Sequence, residues 1–402
     1  MNRKITVSMA ITLALIAMTV TFSVTMIVAM RMFDNTVSSV NEKESQYTKL
    51  AELDRYVRAN EYYEIKDDNL NDMMASGYLL GTGDKYARYY TAKGYSDYLN
   101  VQSGKSIGIG VTAVNDPSSG YARITAVYAD TPASEVGMTV NGYITRINDV
   151  DVKNYTANEA IMAALRGEAG TTVTVTYLSP DMTENTYEIT RRSYAVPTLT
   201  NRILENVGYI GIVSLNESTP TDFSYAVNKL VNNGAECLVV DLRGVSSSDL
   251  TSALSCVDAI LPEGDVAYAR YKNGNVELLG SSDASSISQP VVCLVDAATS
   301  NAAELIAGAV QLNGGRIVGQ RTAGKGVVMG SPVRMSDGSA VIITCAQLLL
   351  ADMETFDGAG LLPDTEVTLD SDEFITVGET AAECDTQLRK AMEVAADMAA
   401  NS

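Results

Sequence analysis

A multidomain chain of mixed α+β and α/β character is predicted by three features of the sequence, with an N-terminal transmembrane helix and a helical neck preceding a small β-barrel and a larger core. Residues 5–30 are continuously apolar or small. Residues 106–192 alternate short β-type runs with Gly and Asn turns and include two helical stretches. Beyond Pro197, apolar strands and amphipathic helices alternate in βαβ rhythm, which calls for a parallel sheet covered by helices. A chain of 402 residues holds these as several domains.

The first run is long enough to span a hydrocarbon core, which takes about 20 residues. Arg3 and Lys4 precede it and place the N-terminus in the cytoplasm. A cleaved signal peptide is the competing reading, but the apolar stretch is long for one and no convincing small-x-small cleavage site follows. The expectation is a cytoplasmic stub and uncleaved anchor over residues 1–35. The protein would then be single-pass in the cell membrane, with the bulk of the chain extracytoplasmic. Residues 36–104 turn polar and helical, with Leu50, Leu53, Tyr56 and Val57 at helical spacing and further helices near 69–80 and 92–99. This reads as a neck.

Composition removes several function classes. The net charge of -20 and the lack of a basic patch interleaved with aromatics argue against nucleic acid as a partner. With no histidine, no Ser-His-Asp triad, Cys-His pair or histidine metal site can form. A general base near neutral pH must then be a desolvated Lys, a raised carboxylate or the chain amine. Cys237, Cys256, Cys293, Cys345 and Cys384 are dispersed without a CxxC pair, so they are expected to be small buried hydrophobes. No metal and no cofactor is implied.

The 105–192 segment resembles a PDZ domain. The match rests on Ile107-Gly108-Ile109-Gly110-Val111, on Thr131-Pro-Ala-Ser-Glu-Val-Gly-Met138, and on Ile144-Thr-Arg-Ile-Asn-Asp-Val-Asp-Val152. Val140-Asn141-Gly142 replaces the usual Pro-Gly-Asp turn. The resemblance implies capture of polypeptide C-termini or unfolded segments by strand addition, with the amides of residues 107–110 holding the terminal carboxylate.

The core, residues 193–402, carries the chemistry. Expected elements are strands at 207–215, 237–242, 291–295, 316–319 and 341–345, a hairpin at 266–279 closed by Asn273-Gly274, and helices at 222–232, 250–261, from Ser300/Asn301 to 312, and 380–400. Gly319-Gln-Arg-Thr-Ala-Gly-Lys-Gly326 nearly spells a phosphate-binding loop. Its last position lacks the Ser or Thr that holds Mg²⁺, and strand follows where a helix is needed.

From about residue 50 to 367 the chain resembles the carboxyl-terminal processing peptidases, the tail-specific serine proteases. The resemblance is carried by residues 83–91, the PDZ-like segment, Val239-Val-Asp-Leu-Arg243, the Asn301-Ala-Ala-Glu304 helix start, Thr322-Ala-Gly-Lys-Gly326 and Gly358-Ala-Gly-Leu-Leu-Pro-Asp364. It implies a ββα-type tail-specific protease core and a Ser nucleophile with a Lys base, and Lys325 falls on the family's Lys. Asn301 stands where the family has its Ser, and Met329 where it often has a Gln that positions the amine. Gly244-Val-Ser-Ser-Ser248 replaces the Asn-Pro-Gly-Gly-like turn that brings amides to the oxyanion. Asn301 with Glu304 fits a helix N-cap and capping box.

The expected reading is therefore a pseudo-peptidase that binds tails beside an active paralogue or as a homo-oligomer, with proteolysis weak or lost. The alternative is an active endopeptidase in which a one-residue register shift turns Ser300 toward Lys325, since one residue rotates a helical side chain by about 100°.

Overall fold

The structure is a computed structural model that describes residues 18–22, 25–26, 47–116, 118–155, 158–369, 377 and 384–401. The anchor expected over residues 5–30 lies mostly outside these. Among the described residues no helix is long and apolar enough to cross a membrane. The chain divides into two units, Met1–Ala75 and Ser76–Ser402. In the first, residues 47–60 are helical, and Arg58 pairs with Asp54 one turn back at 2.9 Å and with Asp67 at 2.5 Å. The second is a mixed α/β multidomain fold.

Its first strand is Arg88–Tyr90, followed by helix Ala92–Gln102, whose start is capped by Thr91 Oγ1 accepting from Gly94 N. Residues 105–192 then build an antiparallel sheet in the order Val111–Asn115, Ala122–Val127, Tyr143–Ile147, Thr172–Leu178, Glu184–Thr190. Lys105–Gly108 pairs separately with Arg192–Ala195. One of the two helical stretches expected in this segment is Asn158–Leu165 within the described residues. Alternating apolar side chains such as Val111, Ala113, Ile124, Ile144, Ile147, Val173 and Val175 close over Ile161 and Leu165 of that helix as one core. Gly110 has φ +91°, and a Cβ there would lie 2.2 Å from Thr131 Cβ, so the loop backbone can pass over the Thr131 turn only as glycine.

The core sheet has six strands in the order Leu199–Leu204, Val207–Ile212, Cys237–Asp241, Val291–Val295, Arg316–Gly319, Thr365–Glu366. The first pair is antiparallel and the rest are parallel. Strands of this kind are buried on both faces, which explains their unbroken apolar runs. Ile210, Leu238, Val240, Cys293 and Val295 face the helices Thr219–Asn232, Leu250–Asp258 and Ala302–Leu312. Tyr209, Val239, Val292, Leu294 and Val318 face Leu388, Ala391 and Ala395 of the last helix, Thr386–Ala400. Each fully buried Val, Leu or Ile contributes about 1.5–3 kcal/mol.

Several boundaries differ from those expected. The helix expected at 222–232 begins at Thr219, because Pro220 sits in the first turn where its missing N–H is no loss. The last helix starts at Thr386, where the Asp385 side chain accepts from Leu388 N at 2.9 Å. Cys237, Cys256 and Cys293 are buried, but Cys345 and Cys384 are exposed, so burial of all five is corrected. Cys345 lies in Thr344–Leu350, where alternate side chains turn outward.

Candidate active site

A fully buried carboxylate, Glu304, ties the site together. Its Oε1 accepts from Thr322 Oγ1 at 2.5 Å and from Gly324 N at 2.6 Å, and its Oε2 accepts from Asn301 N at 2.8 Å and Lys325 N at 2.9 Å. Helix Ala302–Leu312 is thereby fastened to the loop that carries Lys325. The 358–364 turn packs on the same loop backbone to backbone. Gly358 N donates to Gly324 O at 2.8 Å, and a Cβ on Gly360 would meet Thr322 O at 2.3 Å. The near phosphate loop at 319–326 runs into strand Val327–Met329, not a helix.

The 83–91 segment closes the other side. Tyr86 Oη donates within reach of Asp357 Oδ1 (3.0 Å) and Gly324 O (2.9 Å). Asp84 accepts from the N–H groups of Tyr86, Ala87 and Thr344 and from Thr344 Oγ1. Burial alone would raise the Asp84 pKa, but the hydrogen bonds from Thr344, Tyr86 and Ala87 outweigh it and hold the group below the usual carboxylate range. A folded pKa below the unfolded one means stabilisation that is complete above the unfolded value of about 3.9 and is lost as pH falls through the folded value. Asp84→Asn is expected to lower Tm by a few degrees at pH 7, with the gap to wild type narrowing below about pH 4. Thermal melts across that range giving a constant gap would contradict this.

Lys325 projects into an open cleft of about 1300 Å³, lined also by Tyr86, Arg88, Ser248 and Met329. Its Nζ donates to Ser248 Oγ at 2.9 Å and lies 5.5 Å from the Tyr86 ring centre. Burial pushes the Lys325 ammonium below its ordinary pKa and the Arg88 charge adds to this, while Glu304 and Asp84 oppose it. Met329 borders the cleft with its Sδ 3.8 Å from Thr344 Oγ1.

The two residues at the helix start do not meet the lysine side chain. Asn301 is fully buried, with φ 54° and ψ -99°, a strained elbow for a non-glycine residue. Its Nδ2 donates to the carbonyls of Lys325 and Val327, each at 2.7 Å. Half of the anticipated capping pair is present: Asn301 N reaches Glu304, but Oδ1 has no hydrogen-bond partner. The strained backbone carries the side chain away from the helix start toward the Lys325–Val327 backbone. Ser300 is buried beside Ser246 in a short parallel pairing, and its N donates to Val245 O at 2.9 Å. Among the described residues no hydrogen bond joins Ser300 to the Lys325 amine.

Residues 107–111 sit at the head of a second hollow of about 600 Å³, between strand Val111–Asn115 and helix Asn158–Leu165, lined by Ile107, Thr112 and Met162. Gly108, Ile109, Gly110 and Val111 are themselves buried. Lys105, Ser106, Thr112 and Arg166 line both this hollow and the Lys325 cleft.

Sequence reasoning missed Ser248, Tyr86 and the role of Glu304 as the tie. The signal for Ser248 was the run of three serines after Arg243, but its partner is 77 residues away.

Known proteins are similar in sequence and in fold. The sequence model of Peptidase family S41 matches residues 206–367. The carboxy-terminal processing protease CtpA of Bacillus subtilis is 27% identical over 334 residues, covering 82% of this chain and 71% of the relative. The carboxyl-terminal-processing protease of Synechocystis is 26% identical over 324 residues, covering 79% and 75%. Among solved structures, the photosystem II D1 C-terminal processing protease superposes with TM-score 0.50 at 23% identity, over 76% of this chain and 85% of that one. A Bacteroides fragilis protein named for the S41 proteases gives TM-score 0.55 at 17% identity, over 79% and 88%. At such identities the structures speak for the fold. Residues 206–367 thus match the Peptidase family S41 model, and about four fifths of the chain is similar in sequence to carboxyl-terminal processing proteases.

Proposed function

We propose that this protein is a membrane-anchored, extracytoplasmic receptor for polypeptide C-termini and unstructured segments, in which the elbow nucleophile of its relatives has been given up. One observation carries the reading. The hollow headed by the PDZ-like loop and the cleft at Lys325 share a wall of Lys105, Ser106, Thr112 and Arg166. A tail added to strand Val111–Asn115 is thereby led toward the lysine. Lys93, Lys105 and Arg166 outnumber the one acidic lining residue, Asp97, so the hollow carries net positive charge in a chain of net charge -20, which favours a terminal carboxylate. Asn301 supports loss of the elbow route, because an amide is no nucleophile and this one is buried and bonded. The apolar run over residues 5–30 behind Arg3 and Lys4 supports the anchor.

The test is binding of fluorescent peptides ending in small apolar residues to the full chain in detergent. A free carboxylate is expected to bind at least about tenfold more tightly than its amide, about 1.4 kcal/mol. Gly110→Val is expected to abolish the difference. Equal affinity for acid and amide would remove tail capture. An alkaline wash of membranes that released the intact chain would remove the anchor.

A further inference from the structure

We infer that Ser248 is a nucleophile served by Lys325, forming a serine/lysine pair on a different loop from the elbow and able to cleave the tails that the cleft admits. This goes beyond tail capture and rests on it for the substrate. The pair is joined by the 2.9 Å hydrogen bond from Lys325 Nζ to Ser248 Oγ. That is the separation a nucleophile and its base require. Both side chains line the 1300 Å³ cleft, so a peptide carbonyl can reach them. Ser300 and Asn301 are absent from its walls.

The surroundings of Ser248 separate it from its neighbours. Ser246 and Ser247 pair with Ser300 and Asn301, and Ser247 Oγ donates to Leu215 O at 3.1 Å. On the far side, Asp249 caps helix Leu250–Asp258 by accepting from Ser252 N, and Leu250 N returns to Ser248 O at 3.0 Å. The backbone of Ser248 is therefore held on both flanks while its hydroxyl points at the lysine. Lys325 is suited to the role of base. Among the described residues it forms no ion pair. Its burial and the nearby Arg88 both favour the neutral amine, against the weaker pull of Glu304 and Asp84. Its backbone N–H is fixed by Glu304.

The chemistry balances with water as the only co-reactant. Neutral Lys325 takes the Ser248 hydroxyl proton as Oγ bonds to the carbonyl carbon, and the carbonyl π electrons move onto oxygen. The tetrahedral adduct collapses, the C–N bond breaks, and the leaving amine takes the proton from Lys325. An ester on Ser248 remains. A water molecule then gives its proton to Lys325 and adds to the ester, and Ser248 leaves with that proton restored. The products are a new carboxyl terminus and a free amine.

The test treats the full chain in detergent with a fluorophosphonate probe and maps the adduct, alongside cleavage of a tail peptide. The adduct is expected on Ser248. Its rate of formation should rise with pH and level off below the ordinary lysine pKa of about 10.4. Ser248→Ala and Lys325→Arg are each expected to lose labelling and cleavage by at least about 1,000-fold, with melts confirming that both fold. Ser248→Cys is expected to restore reaction, read as alkylation by iodoacetamide with the same pH dependence. An adduct on Ser300, cleavage surviving in Ser248→Ala, or a wild-type chain that binds tails without labelling or cleaving would each overturn the pair. The last outcome leaves tail capture standing, and loss of the acid-over-amide preference would instead remove the capture reading.

Discussion

Glu304→Gln is expected to lower stability by about 3–5 kcal/mol and to dismantle the lysine loop. The carboxylate is fully buried and accepts four hydrogen bonds, two on each oxygen. A Gln amide keeps one acceptor and turns two donors toward a pair of backbone N–H groups or toward Thr322 and Gly324. Two charge-assisted bonds of about 1.5–3 kcal/mol each are lost, and the facing donors are left buried. In a unit of this size each kcal/mol moves Tm by about 2–4 °C, so a fall of roughly 10 °C is expected in thermal melts. A change of less than about 2 °C would show that the tie is dispensable. Because Lys325 N hangs from the same oxygen as Asn301 N, hydrogen exchange at residues 322–326 should accelerate together with that at the start of the 302–312 helix.

Arg243→Ala is expected to cost about 3–5 kcal/mol, the typical loss when one partner of a buried ion pair is removed. The Arg243 guanidinium bonds Asp241 through Nε (2.9 Å) and Nη2 (2.6 Å), Asp385 through Nη1 (3.0 Å) and Nη2 (2.7 Å), and Gln387 through Nη1 (3.1 Å). Burial would lower its pKa, but Asp241 and then Asp385 outweigh that and hold the charge in place. Without it, two carboxylates are buried with no cation, and Asp385 is also the cap of the Thr386–Ala400 helix. The expected result is local release of that helix at lower denaturant than global unfolding, read by hydrogen exchange. Uniform loss across the unit would show that the helix is held by Leu388, Ala391 and Ala395 alone. Arg243→Lys should recover little, because a point charge cannot reproduce the fork.

The sequence was most informative where the physics is local. Apolar runs of four to six residues marked the parallel strands because those strands are buried on both faces. The glycines at 110, 324, 358 and 360, in segments that carry the resemblance, take positive φ in the structure. Lys325 was legible through the family resemblance, in which Thr322-Ala-Gly-Lys-Gly326 puts it on the family's lysine. The opening of the 302–312 helix was placed correctly, but its first residue was not understood. An Asn before Ala-Ala-Glu reads as a cap, and a cap needs extended backbone, whereas Asn301 has φ 54° and sends its amide to the carbonyls of Lys325 and Val327.

By itself the sequence determined the order of segments and the two-faced core sheet, because each is written in neighbours a few residues apart. Only the tertiary structure decided which serine that lysine meets. Ser248 reaches it across 77 residues and Tyr86 reaches Gly324 across 238, through packing of loops whose own composition names no partner. Propensity acts over one or two turns of chain, but a nucleophile and its base are chosen by where separate loops come to rest.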